Sequence, residues 1–365
     1  VTGPRQAGRR RRQAAAGAAL GLALAAACTA LAGCGGTGHG GAAGSDPAVV
    51  TTVPPGRVGA AAPPMSPVRT YLRAVRLAVR DHLRVWIEAD LVTRWEAGRA
   101  SFEAGVRRVA FLARQPGVAG VKIADELGYQ DGLTTPADIE SFLAQAARAL
   151  RAAAPGRQIL VDMVVPELGC LPGHQPPGSP QAACAASARA KYPQLSLPEV
   201  DTYLRLHAID VLDLSTYLQA PATYARWGTT LDAAQRDAWR AVTGLGWPRL
   251  VRLQGRKALA HSRDFAGGQA AADAQLRTFV DIPLESGAHA VDIWTWHQEY
   301  DGAMYRILDP GLRPNALWHG LRQRRRAHDV LFTHMSPTSL DGGLARNLKL
   351  IASVFSDLFL PAGTG

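Results

Sequence analysis

Four acidic residues stand inside or at the end of short apolar runs: Glu126 in "VKIADE", Asp162 in "ILVDMVV", Asp213 in "IDVLDLS" and Asp292 in "VDIWTW". A carboxyl group held near a second one, partly out of water, can be tuned to give or accept a proton. Such a set at strand ends is therefore a candidate for acid/base catalysis. Glu126 is the candidate proton donor. It shares alternation with Lys122, precedes Gly128, and has Asp125 beside it to raise its proton affinity. Asp125, as its sequence neighbour, is expected to face the other way. Trp86, Glu88, Tyr217, Arg252, Gln254, Trp294 and Trp296 are candidates for substrate contact, the rings by shaping the site and Arg252 and Gln254 by binding hydroxyl groups. Two plainer readings compete: Glu88, Lys122 and Arg252 as an internal ion-pair layer, and Trp294 and Trp296 as core filler. The cluster His297-Gln298-Glu299 has no defined ligand spacing, and no Gly-rich phosphate loop follows a strand, so neither metal nor cofactor is expected.

These residues need a frame, and the chain supplies one by alternating. Short β-rich runs fall at Val85–Asp90, Val121–Glu126, Ile159–Val165, Ile209–Ser215, Leu250–Gln254 and Val291–Trp296. A further strand is expected at Ala48–Val53, followed by a helix over about Pro67–Asp81. The segment "TTPADIESFLAQAARALRAAAPG" is the clearest helix. Thr135 suits the cap, Pro136 the first position and Asp138 the first turn, and Ile139, Phe142, Leu143, Ala146 and Leu150 form one apolar face. Repeated strand–helix units imply parallel strands. In doubly wound sheets such strands are apolar on both faces. Here one face is apolar and the other carries charge and tryptophan, as in "VWIEAD" and "VDIWTW". A closed (β/α)8 barrel has such an interior, with polar groups toward the strand ends. Seven strands are countable, so one is irregular or missing.

Over roughly residues 48–335 the chain resembles the (β/α)8-barrel glycoside hydrolase superfamily. That resemblance implies an acid/base glutamate at the end of the fourth strand, a nucleophilic glutamate at the end of the seventh, and a sugar-stacking tryptophan after the eighth. Taking "VDIWTW" as the eighth strand makes "VKIADE" the fourth. Glu126 then takes the acid/base position and Trp294 or Trp296 the stacking position. The sequence departs at "LVRLQG", where Gln254 stands near the expected nucleophile, and has Asp125 where Asn is usual. Glycoside cleavage needs two carboxyl groups, and Glu88, Asp90, Asp162, Asp213 and Asp292 are candidates for the second. A non-catalytic glycan-binding or structural barrel, and a two-lobed solute-binding lipoprotein of a transporter, are the alternative readings.

The N-terminal segment points to export. Arg5 and Arg9–Arg12 precede the uncharged apolar run 14–32, which ends in Leu31-Ala32-Gly33-Cys34. This resembles a bacterial lipoprotein signal: residues 1–33 are the signal peptide, Cys34 carries the acyl chains (palmitate and its like), and 34–47 form a Gly-rich tether. An uncleaved membrane span is the alternative. The expected location is the extracytoplasmic face of the cell membrane, with 48–335 as barrel and 336–365 as a C-terminal helical segment packed on it. Lys and Arg number 40 and Asp and Glu 30; five of the arginines lie in the signal, so the mature excess is only five positive charges. Nucleic acid is not an expected partner; carbohydrate and the membrane are. The run Arg322, Arg324, Arg325, Arg326 could meet anionic headgroups or form a solvated helix face. Cys170 and Cys184 flank the loop "LPGHQPPGSPQAA" and are expected to pair outside the cytoplasm, restricting the unfolded chain by about 3 kcal/mol. Cys34→Ala should abolish incorporation of labelled fatty acid; a variant that still carries the label refutes the lipid site.

Overall fold

The computed structural model describes residues 68–362 apart from 130, 328, 329 and 339. The signal segment, Cys34, the tether and the strand expected at Ala48–Val53 lie outside the described residues. Among the described residues no helix is long and apolar enough to cross a membrane.

Eight parallel strands close on themselves. They are β1 (Arg84–Glu88), β2 (Val118–Lys122), β3 (Gln158–Val164), β4 (Val211–Ser215), β5 (Arg252–Ala258), β6 (Ala290–Tyr300), β8 (Leu331–Met335) and β9 (Asp357–Pro361). β9 pairs with β1 and β6 pairs with β5, which completes the ring. The ninth strand, β7 (Ala303–Arg306), runs antiparallel to the overlong end of β6 as a hairpin above the rim. The chain is a (β/α)8 barrel with one extra strand. A single closed ring has no two lobes, so the transporter solute-binding reading falls.

The strand count needs correction. "VWIEAD" opens the barrel, so "VKIADE" is the second strand, "LVRLQG" the fifth and "VDIWTW" the sixth. The two unexpected barrel strands are "LFTHM" and "DLFLP", and β7 is a third strand outside the expected set. Residues 336–365, expected as a helical appendage, supply the helix Leu344–Ala352 and the closing strand. No helix follows β9 among the described residues. Instead the N-terminal helix Val68–Arg80 packs against β1 and the helix Leu344–Ala352, in the position of an eighth barrel helix. It buries Tyr71, Ala74, Val75 and Ala78 along one stripe. Helix Pro136–Ala153 starts as expected, with Thr135 accepting from the Asp138 amide.

The interior is layered along the barrel axis. At the N-terminal end Arg84 donates to Asp357 at 2.7 Å. Above this, Trp86, Leu160, Val211, Ala290, Phe332 and Phe359 form an apolar plug. Gly120 is required here, because a Cβ would come within 2.5 Å of the Trp86 ring. The inward residues one step further along the strands are almost all polar: Glu88, Lys122, Asp162, Asp213, Gln254, Asp292 and His334 are buried. The outer faces of the strands carry Val85, Ile87, Val121, Val161, Leu212 and Ile293 into the helix layer. Cys170 and Cys184 form the expected disulfide.

Trp86 fills the centre of the plug and its Nε1 donates to Asp357 Oδ1 at 2.9 Å. Trp86→Ala leaves both a cavity and an orphaned carboxylate contact. It should cost at least about 3–5 kcal/mol in urea unfolding; a loss below about 1 kcal/mol would show that the plug repacks freely.

Candidate active site at the barrel mouth

Parallel strands deliver their C-terminal ends to one rim, and the charged layer leads up to it. Lys122 ends β2 and is fully buried. Its Nζ lies 3.0 Å from Glu88 Oε1, 2.8 Å from Asp125 Oδ1 and 3.5 Å from Asp162 Oδ2. On the other side of the layer His334 bridges two acids, with Nδ1 2.9 Å from Glu88 Oε2 and Nε2 2.7 Å from Asp292 Oδ2. Arg256 lies over the middle. Its Nη1 donates to Glu126 and its Nη2 to Asp125, both at 3.0 Å. Its Nε stands 2.8 Å from Asp162, 3.8 Å from Asp292 and 4.0 Å from Asp213.

The four carboxyl groups proposed for catalysis, Glu126, Asp162, Asp213 and Asp292, thus gather around one guanidinium. Their depths differ. Asp162, Asp213 and Asp292 are wholly buried, whereas the Glu126 side chain is 23% exposed and that of Asp125 is 53% exposed. Asp125 was expected to face away from Glu126. Strand alternation does not apply there, because β2 stops at Lys122 and Glu126 has a left-handed φ of +52°. The backbone turn brings both side chains to Arg256. Tyr217, with φ +49°, is a second left-handed residue at the rim, and such conformations persist where the surroundings over-determine them.

Burial raises the proton affinity of Asp162 and Asp213 well above the usual carboxyl range, against the opposing pull of Arg256 and Lys122. Burial also raises Glu126; Asp125 reinforces this and Arg256 opposes it. In three other acids burial pushes upward but cations win. Lys122 and Arg256 hold Asp125 low. Lys122 and His334 hold Glu88 low. His334 brings Asp292 down to about 2. For His334 burial disfavours the charge, yet Asp292 and Glu88 raise its pKa to about 9. Both oxygens of Asp213 and of Asp162 lack a well-aligned donor.

Aromatic residues flank the mouth. Trp294, half-buried on β6, packs on Tyr300 and Tyr305 of the hairpin at centroid distances of 6.0 and 5.3 Å. Across the rim Tyr129 lies 4.8 Å from Tyr192 and 5.8 Å from Tyr217. Among the described residues no group of three or more His, Cys, Asp or Glu is arranged to hold a metal ion.

Several expected contact residues lie elsewhere. Trp86 is in the apolar plug. Trp296 is 2% exposed in the helix-facing core, packed on Trp318 and donating to Asn347. Arg252 is at the N-terminal end of β5, beside Gln158, because the strand runs on to Ala258. Gln254 and Glu88 are buried inside the polar interior. Tyr217 and Trp294 do reach the mouth. Sequence reasoning missed Arg256 and His334. Extending "LVRLQ" by one alternation step finds Arg256, and reading "LFTHM" as a strand puts His334 on the same face as Phe332.

No family model matches the chain, and no curated protein matches it. Solved structures that resemble it are barrel enzymes. Pyruvate carboxylase of Rhizobium etli is 10% identical with a TM-score of 0.38; the match covers 80% of this chain and 24% of that one. Homocysteine methyltransferase of Escherichia coli is 15% identical at a TM-score of 0.40, over 80% of this chain and 94% of that one. D-psicose 3-epimerase of Clostridium cellulolyticum H10, solved with D-tagatose, is 13% identical at 0.41, over 76% and 85%. Likenesses this remote carry no statement about activity, and the barrel is read from the strand pairing itself.

His334 gives a test of the charged layer. Its folded pKa of about 9 lies above the free value of about 6.5. Its stabilisation is therefore complete below pH ~6.5 and is lost as pH rises through about 9, on the order of 3 kcal/mol in all. Urea unfolding from pH 6 to 10 should show this fall, and His334→Gln should flatten it. A wild-type curve without the fall would mean that His334 is neutral in the fold.

Proposed function

We propose that the barrel mouth carries out acid/base chemistry on carbohydrate, with Glu126 as proton donor and Asp125 as the ionised carboxylate. The observation that carries this is geometric: the two most accessible carboxyl groups of the cluster share the guanidinium of Arg256 at 3.0 Å each, between two aromatic groups. Oppositely shifted proton affinities support the division of roles, since a neighbouring acid and base must differ in this way to work at one pH. Asp162, Asp213 and Asp292 act beneath them by holding Arg256 in place. Trp294 and Tyr217 offer ring faces to a sugar, and glycoside hydrolysis is the reaction that two carboxyl groups and stacking rings fit best.

The same reading makes the protein a lipoprotein, anchored through Cys34 on the extracytoplasmic face of the membrane. The "LAGC" sequence supports this, and so does the Cys170–Cys184 disulfide, which belongs to an oxidising compartment.

One observation favours a second reading, a glycan-binding barrel without hydrolysis: both mouth carboxylates are already hydrogen-bonded to Arg256. A panel of glycans separates the two. Hydrolysis by the wild-type chain should fall by about 10²-fold or more in Glu126→Gln and in Asp125→Asn, with folding retained. Turnover unchanged by Glu126→Gln removes it as the acid. Binding without any turnover selects the second reading.

A further inference from the structure

The N-terminal helix Val68–Arg80 has a solvent face of one chemistry. Arg69, Arg73, Arg76 and Arg80 recur at helical spacing and all are exposed, while the helix contains no acidic residue. Arg80 pairs with its neighbour Asp81. Arg69, Arg73 and Arg76 have no ion-pair partner among the described residues. The adjoining helix Leu344–Ala352 adds exposed Arg346 and Lys349, again with no acid of its own. On it lies a shallow depression of about 440 Å³ lined by Ala345, Arg346, Lys349, Leu350 and Ser353. The more obvious basic run, Arg322–Arg326, is in part spent inside the protein. Arg324 forks onto Asp281 at 2.6 and 2.7 Å, and Arg325 is partnered.

We propose that this two-helix arginine face docks on the anionic headgroups of the membrane that carries the chain. The proposal rests on the lipid-anchor reading, because Val68 is the first described residue and only residues 35–67 separate it from Cys34. An anchor at Cys34 keeps the basic face within that length of chain of the bilayer, where unpaired arginines meet an opposite field. Docking occurs through the helical wall, since the helix packs alongside β1. The mouth therefore stays clear of the membrane.

The test compares the full-length processed protein with its R69Q/R73Q/R76Q variant. Binding is measured to vesicles of phosphatidylcholine alone and of phosphatidylcholine mixed with phosphatidylglycerol. The wild type should prefer the anionic vesicles by on the order of 10²-fold, from roughly fivefold per arginine. Raised salt should erase the preference, and the triple substitution should remove the roughly 10²-fold that its three arginines contribute. A variant that keeps the preference, or a wild type that has none, overturns the docking. Binding to phosphatidylcholine alone reports the acyl chain. Failure of the anchor reading appears there as absence in both proteins, while the anionic preference still decides the docking.

Discussion

The barrel interior is governed by a charge imbalance. Six carboxyl groups (Glu88, Asp125, Glu126, Asp162, Asp213 and Asp292) share one enclosure with three cations, Lys122, Arg256 and His334. Unpaired charge in such surroundings is too costly to persist. The excess therefore shows as opposed shifts in proton affinity. Three of the acids, Asp162, Asp213 and Glu126, have raised proton affinity, and the other three are held low. Arg256 is the hub of the arrangement, because it alone touches both the buried aspartates and the two rim carboxylates.

The apolar plug makes this possible. Trp86, Phe332 and Phe359 seal the barrel below the charged layer, and Phe359 stacks under the His334 ring at 4.6 Å. Water is kept from one side, and the charged layer opens toward the rim. That asymmetry leaves Asp125 half open and Asp213 closed within one cluster. A set of carboxyl groups that differ this much in depth needs just such a one-ended cavity.

Much of the fold was legible because strand alternation is a local rule. Val85/Ile87 against Trp86/Glu88, and Val291/Ile293 against Asp292/Trp294, state the barrel's inside and outside directly. The errors came where the local rule stops. Parity does not extend past Lys122, where the strand ends; Glu126 reaches the mouth by a left-handed turn, and Asp125 comes with it. Parity was cut short at Gln254, which hid Arg256. "LFTHM" and "DLFLP" are five residues each, and the second ends in proline. Their identity as strands is set by the ring they must complete. Trp296 illustrates the remaining limit: the register of β6 against β8 is irregular between Ile293 and His297, so alternation could not assign its side.

The seam between β1 and β9 has a consequence for the order of events in time. The ion pair of Arg84 and Asp357 joins residues 273 apart in sequence. As the chain is made, β1 through β8 exist as an open sheet whose two outer strands present unpaired backbone groups. Neither edge is satisfied until Pro361 has emerged, and the lower half of the plug lacks Phe359 until the same moment. A protein built this way completes its core last, at the final strand. Before then it exposes sheet edges and an unsealed charged interior, a state prone to association. Closure of this barrel therefore waits on β9, the strand that joins the two edges.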